Sequence, residues 1–280
     1  MVRTAVAFSP GHISGYFRRI EGREIATTGS IGAGVVIDEG VRSTVEEAGE
    51  TSVRVLRDGC VSTGSPPIEY ALDRIGVCAR VTTECRLPIG AGFGLSAAAL
   101  LATLTAANSL FDLGLSADGV AAAAHEAEVV QRTGLGDVAA SLGGGVACRK
   151  GPGITAEVAR FYPEEPIYAM SLGPLPTASV LASAETMARI SAAYPRRCPH
   201  NLIDFYRLSR SFAERSRLIA PDLRRVLEAC DAAGVPASMT MLGNGVFASG
   251  AAAEGVLARF GEVYTLAVAH RGPYLIEVRP

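Results

Sequence analysis

A run without a single charged side chain, from Leu87 to Phe111, constrains this chain most. It opens on PIGAGFGLS and continues as AAALLATLTAANSLF. The run is long enough to raise the question of a membrane span. Pro88 and three glycines break it early, however, and Ser, Thr and Asn interrupt it later. A buried helix starting near Leu95 accounts for it better, because a helix that is apolar all round must be covered all round. The 280 residues allow one large domain or two modest ones around such a helix. With no Trp and few aromatics, the core has to be built mainly from Ala, Val, Leu and Ile.

Charge narrows the ligand class. The net charge is −2 and the basic residues are scattered, so no basic stripe points to nucleic acid or to an anionic membrane. A small-molecule ligand is expected. Lys150 is the only lysine, which excludes a Walker-type phosphate loop with its Gly-Lys-Ser/Thr. The six cysteines, at 60, 78, 85, 148, 198 and 230, form no C-x-x-C and no zinc-finger spacing. They are expected to be reduced core thiols of a cytoplasmic protein. The start, MVRTAVAFSPGHISG, has no long apolar stretch, so no signal peptide is expected.

Periodicity then divides the chain. VRTAVAF (2–8) alternates as a strand, with SPGHISGYF as a loop after it. GAGVVID and RSTVEE read as two strands joined by a turn near Asp38-Glu39-Gly40, and SVRVLRDG as a third. PPIEYALDRIG has the opening Pro and closing Gly of a short helix. VCARVTTECR (77–86) is a strand, and LSADGVAAAAHEAEVVQR a helix capped by a Ser. TGLGDVAASLGGG reads as a loop with one helical turn, and GVACRK as a short strand. Beyond it come strands near 154–160, 166–172 and 177–182. Helices near 201–219 and 222–233 follow, then SMTML, GNG, VFASG, a short helix and two strands. That second half resembles a split βαβ sandwich. The boundary is set at 153/154, giving domains 1–153 and 154–280 around one cleft.

Three segments invite chemistry. PIGAGFGLS joins a strand to a helix. Glycines let backbone amides approach a ligand, and a helix N-terminus offers free N–H groups with a partial positive charge. The plainer reading is a helix-entry turn with Ser96 as its cap. A dinucleotide fingerprint fits poorly: Leu95 stands where the third glycine belongs, and Asp112 lies at a helix end. HEAEVVQRTGLGDV places His125 and Glu128 on one helix face and Asp137 between glycines. MLGNGVFASG (241–250) reads first as a hairpin turn.

Taken together, PIGAGFGLSAA is similar to the central P-x-x-x-G-L-S-S-A motif of the GHMP kinases. SPGHISGYF resembles their N-terminal Pro-Gly motif, and MLGNGVFASG falls where their C-terminal glycine-rich motif belongs. Within the superfamily, PGHISGYF, AEVVQRTGLGDV and MLGNG resemble the archaeal-type pantoate kinases of coenzyme A biosynthesis. Ala97 replaces the second serine of the motif, His12 stands where a lysine or arginine is common, and Asn244 where alanine is common. The resemblance implies an α+β fold, with an N-terminal domain like ribosomal protein S5 domain 2 and a ferredoxin-like C-terminal domain. It implies ATP- and Mg2+-dependent phosphorylation of (R)-pantoate to 4-phosphopantoate by a homodimer. Another GHMP kinase activity, such as homoserine kinase, is the alternative within the class, and a non-catalytic GHMP-fold binding protein the alternative outside it. ATP phosphates would lie on Pro88, Gly90, Ala91, Gly92, Phe93, Gly94, Leu95, Ser96 and Ala97. Ser96 and Glu128 would hold the metal, with Glu126 as the competitor. Asp137 would take the acceptor proton, and His125, Arg149 and Ser30 would bind the acceptor.

Overall fold

The computed structural model describes residues 3–174 and 183–280. The elements, in chain order, are β1 Thr4–Ile20, β2 Gly29–Glu47, β3 Ser52–Arg57, β4 Cys60–Thr63, α1 Pro66–Arg74, β5 Ala79–Glu84, α2 Leu95–Leu110, α3 Ala117–Gln131 and α4 Asp137–Ser141. They continue as β6 Val146–Arg149, β7 Val158–Phe161, β8 Ile167–Ser171, α5 Ala184–Ala193, α6 Leu202–Arg215 and α7 Pro221–Ala232. The last are β9 Ala237–Met239, β10 Gly245–Ala248, α8 Ala253–Leu257, β11 Val263–Leu266 and β12 Tyr274–Arg279. The strand expected at about 177–182 lies outside the described residues.

Two sheets organise these elements. The first has the order β12-β1-β2-β5-β3-β4, with β6 pairing β2 and β7 pairing β6. The second is antiparallel with the order β11-β8-β10-β9. In chain order that is fourth-first-third-second, the split βαβ arrangement the sequence suggested. The sheets do not respect a division at 153/154. Both β7 and the C-terminal β12 belong to the first sheet, so strands from both halves of the chain complete it.

The charge-free run behaves as expected. α2 begins at Leu95 and buries residues on every side, from Ala97 through Leu101 and Leu104 to Leu110. It packs on β1 and β2, with α1 and α3 against it, around a core of Val45, Val81, Leu72 and Val120. A second core joins β1 and β2 to α6, α7 and the second sheet through Tyr16, Phe205, Phe212, Leu227 and Phe247.

Three expectations are corrected. β1 and β2 are each one long strand, of 17 and 19 residues, where breaks were expected at SPGHISGYF and at Asp38-Glu39-Gly40. The pairing absorbs the irregularity as register shifts at Pro10/Gly11 and Ser14/Tyr16. Pro10 is tolerated because β12 pairs with β1 only as far as Phe8, so beyond it, among the described residues, one edge of β1 has no strand partner to lack an N–H donor. Second, β4 and α5 were missed; α5 carries a regular cap, the Ser183 hydroxyl accepting from Thr186 N. Third, Cys148 and Cys198 form a disulfide across 50 residues, and Cys60 and Cys78 are exposed, so the six are not a set of reduced core thiols. Among the described residues, no helix is long and apolar enough to cross a membrane.

Candidate active site

The free edge of β1 is where the site assembles. His12 N donates to Phe93 O at 2.9 Å, and Met241 N donates to Ser14 O at 3.1 Å. Alternate residues of one strand therefore carry the glycine loop and the C-terminal motif side by side. Thr240 Oγ1 ties those two together by donating to Ala91 O at 2.8 Å. The 241–245 segment is a hairpin turn between β9 and β10, as its plainer reading held, and it is docked on the loop.

Gly90, Gly92 and Gly94 have φ of 77°, 84° and 63°, a left-handed series that disfavours other residues. Gly94 is the N-cap of α2 and no side chain caps the helix. Ser96 is therefore not a cap; it is exposed on the first turn, beside amides with no partner in the helix. A cleft of about 510 Å³ opens here, lined by Gly90, Gly92, Phe93, Gly94, Leu95 and Ser96. Pro88, Ala91 and Ala97 do not line it. Ala91 and Ala97 are buried, and Pro88 faces an adjoining cavity of about 500 Å³.

The acidic side of the cleft is held by the loop Gly134-Leu135-Gly136 between α3 and α4. A β-carbon at Gly134 would lie 2.3 Å from Glu128 Oε1 and 3.3 Å from Asp137 Oδ2, so the two carboxylates flank one point. A β-carbon at Gly136 would lie 2.4 Å from Ser30 Oγ and 2.8 Å from Arg149 Nε. A side chain at either place would have to push these polar groups aside. The loop thus brings Glu128 and Asp137, from α3 and α4, against Ser30 of β2 and Arg149 of β6.

Each predicted residue can now be placed. Asp137 lines the cleft, with 27% of its side chain exposed. Its Oδ1 accepts from His12 Nδ1 at 2.7 Å and from Ser14 Oγ at 3.4 Å. Burial would raise the Asp137 carboxyl; the His12 hydrogen bond, with Arg149 and Ser14, holds it below its usual value. Burial lowers His12; because its partner is a carboxylate oxygen, which accepts, Nδ1–H is the donor in this pair. Glu128 is buried; the backbone N–H groups of Asp137 and Val138 lie near its carboxylate, but neither oxygen is in a well-formed hydrogen bond. Burial, with the Asp137 charge, pushes its carboxyl well above the ordinary range.

Arg149 is 2% exposed and grips Ser30, through Nε to the carbonyl at 3.3 Å and through one terminal nitrogen to Oγ at 3.2 Å. Its other terminal nitrogen is buried without a partner. Ser30 lines the cleft. Arg149, Glu128 and His125 lie behind the lining; His125 Nε2 meets Thr28 O at 3.0 Å, with Nδ1 3.9 Å from Glu128 Oε2. Glu126 points elsewhere, accepting from Tyr70 Oη at 2.8 Å and Arg74 Nε at 2.7 Å. His12 and Ser14 are the site residues that the sequence reading missed.

The GHMP kinases N terminal domain family matches residues 67–145. A pantoate kinase of Methanospirillum hungatei is 46% identical over 276 residues, covering 96% of each chain. A pantoate kinase of Thermococcus kodakarensis is 31% identical over 264 residues, covering 86% of each. Among solved structures, a phosphotransferase related to the CoA biosynthesis pathway superposes with a TM-score of 0.84 at 24% identity, covering 99% of both chains. With the glycine loop, the acidic loop and the C-terminal turn converging on one cleft, the chain belongs to the pantoate kinase family of the GHMP kinases.

Proposed function

We propose that this enzyme transfers the γ-phosphoryl group of ATP to the 4-hydroxyl of (R)-pantoate, giving 4-phosphopantoate and ADP as a step towards coenzyme A. The observation that carries the reading is that one cleft is lined on one side by the first turn of α2 and on the other by Asp137 and Ser30. ATP phosphates sit on the amides of the 90–97 segment. The acceptor oxygen bonds to the γ-phosphorus, the bond to the β-bridging oxygen breaks, and Asp137 takes the hydroxyl proton. Positioning and charge neutralisation supply most of the rate in such transfers.

The acceptor carboxylate is assigned to the Arg149–Ser30 pair. Arg149 retains an unpartnered buried N–H group, and Ser30 opens on the cleft. A guanidinium so placed suits a carboxylate. His125, bonded to Thr28, contributes by fixing the strand end that bears Ser30 rather than by lining the cleft.

Mg2+ fits this donor set. The Glu128 carboxylate is buried with neither oxygen in a well-formed hydrogen bond, and the Ser96 hydroxyl is exposed on the first turn of α2. Among the described residues, no three His, Cys, Asp or Glu side chains form a cage. A Mg2+ ion held here takes its remaining ligands from phosphate and water, its usual habit. The ion would neutralise charge on the phosphates. A homodimer and a cytoplasmic location complete the proposal.

The test is ATP consumption by the purified protein across a panel of hydroxy acids. Pantoate should be phosphorylated well above homoserine, whose ammonium would sit close to Arg149. Preference for homoserine would overturn the reading.

A further inference from the structure

His12 belongs to the glycine-loop side of the site by its backbone and to the acidic side by its ring. Its backbone N donates to Phe93 O at 2.9 Å. A β-carbon on Gly94 would come within 2.8 Å of its carbonyl oxygen and 3.0 Å of its nitrogen, so strand and loop are in close contact at this residue. Its ring Nδ1 lies 2.7 Å from Asp137 Oδ1. The side chain is wholly buried, and its Nε2 rests over Gly34 of β2, where a β-carbon would stand only 2.2 Å away. The ring therefore has little freedom to swing away from Asp137. Ser14, two residues along the same strand face, adds a longer contact to the same carboxylate oxygen at 3.4 Å.

We propose that His12 is a positioning residue that fixes Asp137 relative to the 90–94 loop, so that the carboxylate stays in register with the phosphates bound there. Occupying Oδ1 with the Nδ1–H group leaves Oδ2 as the oxygen available to the acceptor hydroxyl. The inference rests on the proposed role of Asp137 in proton transfer. It predicts a defect in turnover rather than in binding, because His12 donates to the carboxylate and the loop keeps its backbone contact whatever the side chain. Misplacement of a reacting group by about 1 Å costs on the order of 10²-fold in rate.

The experiment compares His12→Ala, His12→Asn and His12→Gln. Asn carries an amide N–H near the place of Nδ1, and Gln carries it one bond farther out. Steady-state kinetics should show kcat of His12→Ala down by about 100-fold, with the KM values for ATP and acceptor changed less than about threefold. His12→Asn should recover at least about tenfold of that loss, and His12→Gln much less. Melting temperature and calorimetric ATP affinity report whether each variant is folded. If His12→Ala is unfolded, the Asn–Gln difference in kcat decides alone. Equal kcat for Asn and Gln, full activity in the alanine variant, or a loss confined to the KM for ATP would overturn the proposal. Failure of the substrate reading is separable: wild-type enzyme that ignores pantoate refutes that reading, and the His12 series is then run on the hydroxy acid that is accepted.

Discussion

Two glycines of the same loop should respond differently to one methyl group. Gly90 and Gly94 both have left-handed backbone, with φ of 77° and 63°. Alanine at either pays the same conformational cost, about 1–2 kcal/mol, offset by about 0.4–1 kcal/mol from a stiffer unfolded chain. Their surroundings differ. Among the described residues, a β-carbon at Gly90 meets Pro174 alone, its Cβ at 3.1 Å and its Cα at 3.7 Å, in an exposed connecting segment and not in a paired strand. At Gly94 it meets the backbone of β1 itself, His12 O at 2.8 Å and His12 N at 3.0 Å. Strand backbone cannot give way without disturbing the His12–Phe93 hydrogen bond. Overpacking of that kind costs about 1–3 kcal/mol. Gly94→Ala should therefore be less stable than Gly90→Ala by about 1–3 kcal/mol in urea equilibrium unfolding. Stabilities within about 0.5 kcal/mol of each other would refute the reasoning, since that is the scatter of ordinary surface changes. It follows that loss of ATP binding in a Gly94 variant says nothing by itself about the phosphate seat.

The other expectations concern charge and cross-linking. Arg149→Met removes a charge-assisted contact worth about 1.5–3 kcal/mol, so the KM for pantoate should rise by about 10- to 150-fold; an equal rise in the KM for ATP would place the acceptor carboxylate elsewhere. In a Mg2+ titration, Glu128→Gln should need far more metal for half-maximal activity, whereas Glu126→Gln should behave as wild type because Glu126 is engaged by Tyr70 and Arg74; the reverse order would transfer the metal role to Glu126. The Cys148–Cys198 bond spans 50 residues and should contribute about 2–4 kcal/mol. Reductant should lower the Tm of the wild type to that of Cys198→Ser and leave the variant unmoved; a Tm insensitive to reductant in both would show the bond absent.

Helices were the most legible part of the fold. The α2 start at Leu95 follows from a glycine loop meeting a charge-free run, and the α3 cap at Ser116, whose hydroxyl accepts from Gly119 N, follows from an N-cap residue ahead of a helical stretch. Long strands were less legible. In β1, Pro10 and Gly11 carry the local signature of a turn, and only the missing strand neighbour beyond Phe8 makes them tolerable within a strand. The pairing of β12 with β1 and the Cys148–Cys198 bond are contacts between distant parts of the chain, with no local periodicity to announce them.

The same misread strand explains why the site was legible only in part. Asp137 and Glu128 stand out in sequence because glycines surround one and a helix face presents the other. Arg149 could be inferred from an acceptor carboxylate's need for a cation and from the strand that follows the Asp137 loop, and Ser30 from the segment TTGSIGAG; they meet because β6 pairs with β2, Gly32 opposite Arg149. His12 and Ser14 stayed hidden while SPGHISGYF was read as a loop, since a loop gives neighbouring side chains no fixed relation. Read as a strand, the segment puts residues 12 and 14 on one face and their backbone groups on one edge. Strand periodicity then requires whatever bonds to the edge at Phe93 and Met241 to lie beside whatever the two side chains touch. A single β-strand thus sets the distance between the glycine loop and Asp137, and under the proposed mechanism that distance is the one an in-line transfer between a bound phosphate and a bound hydroxyl demands.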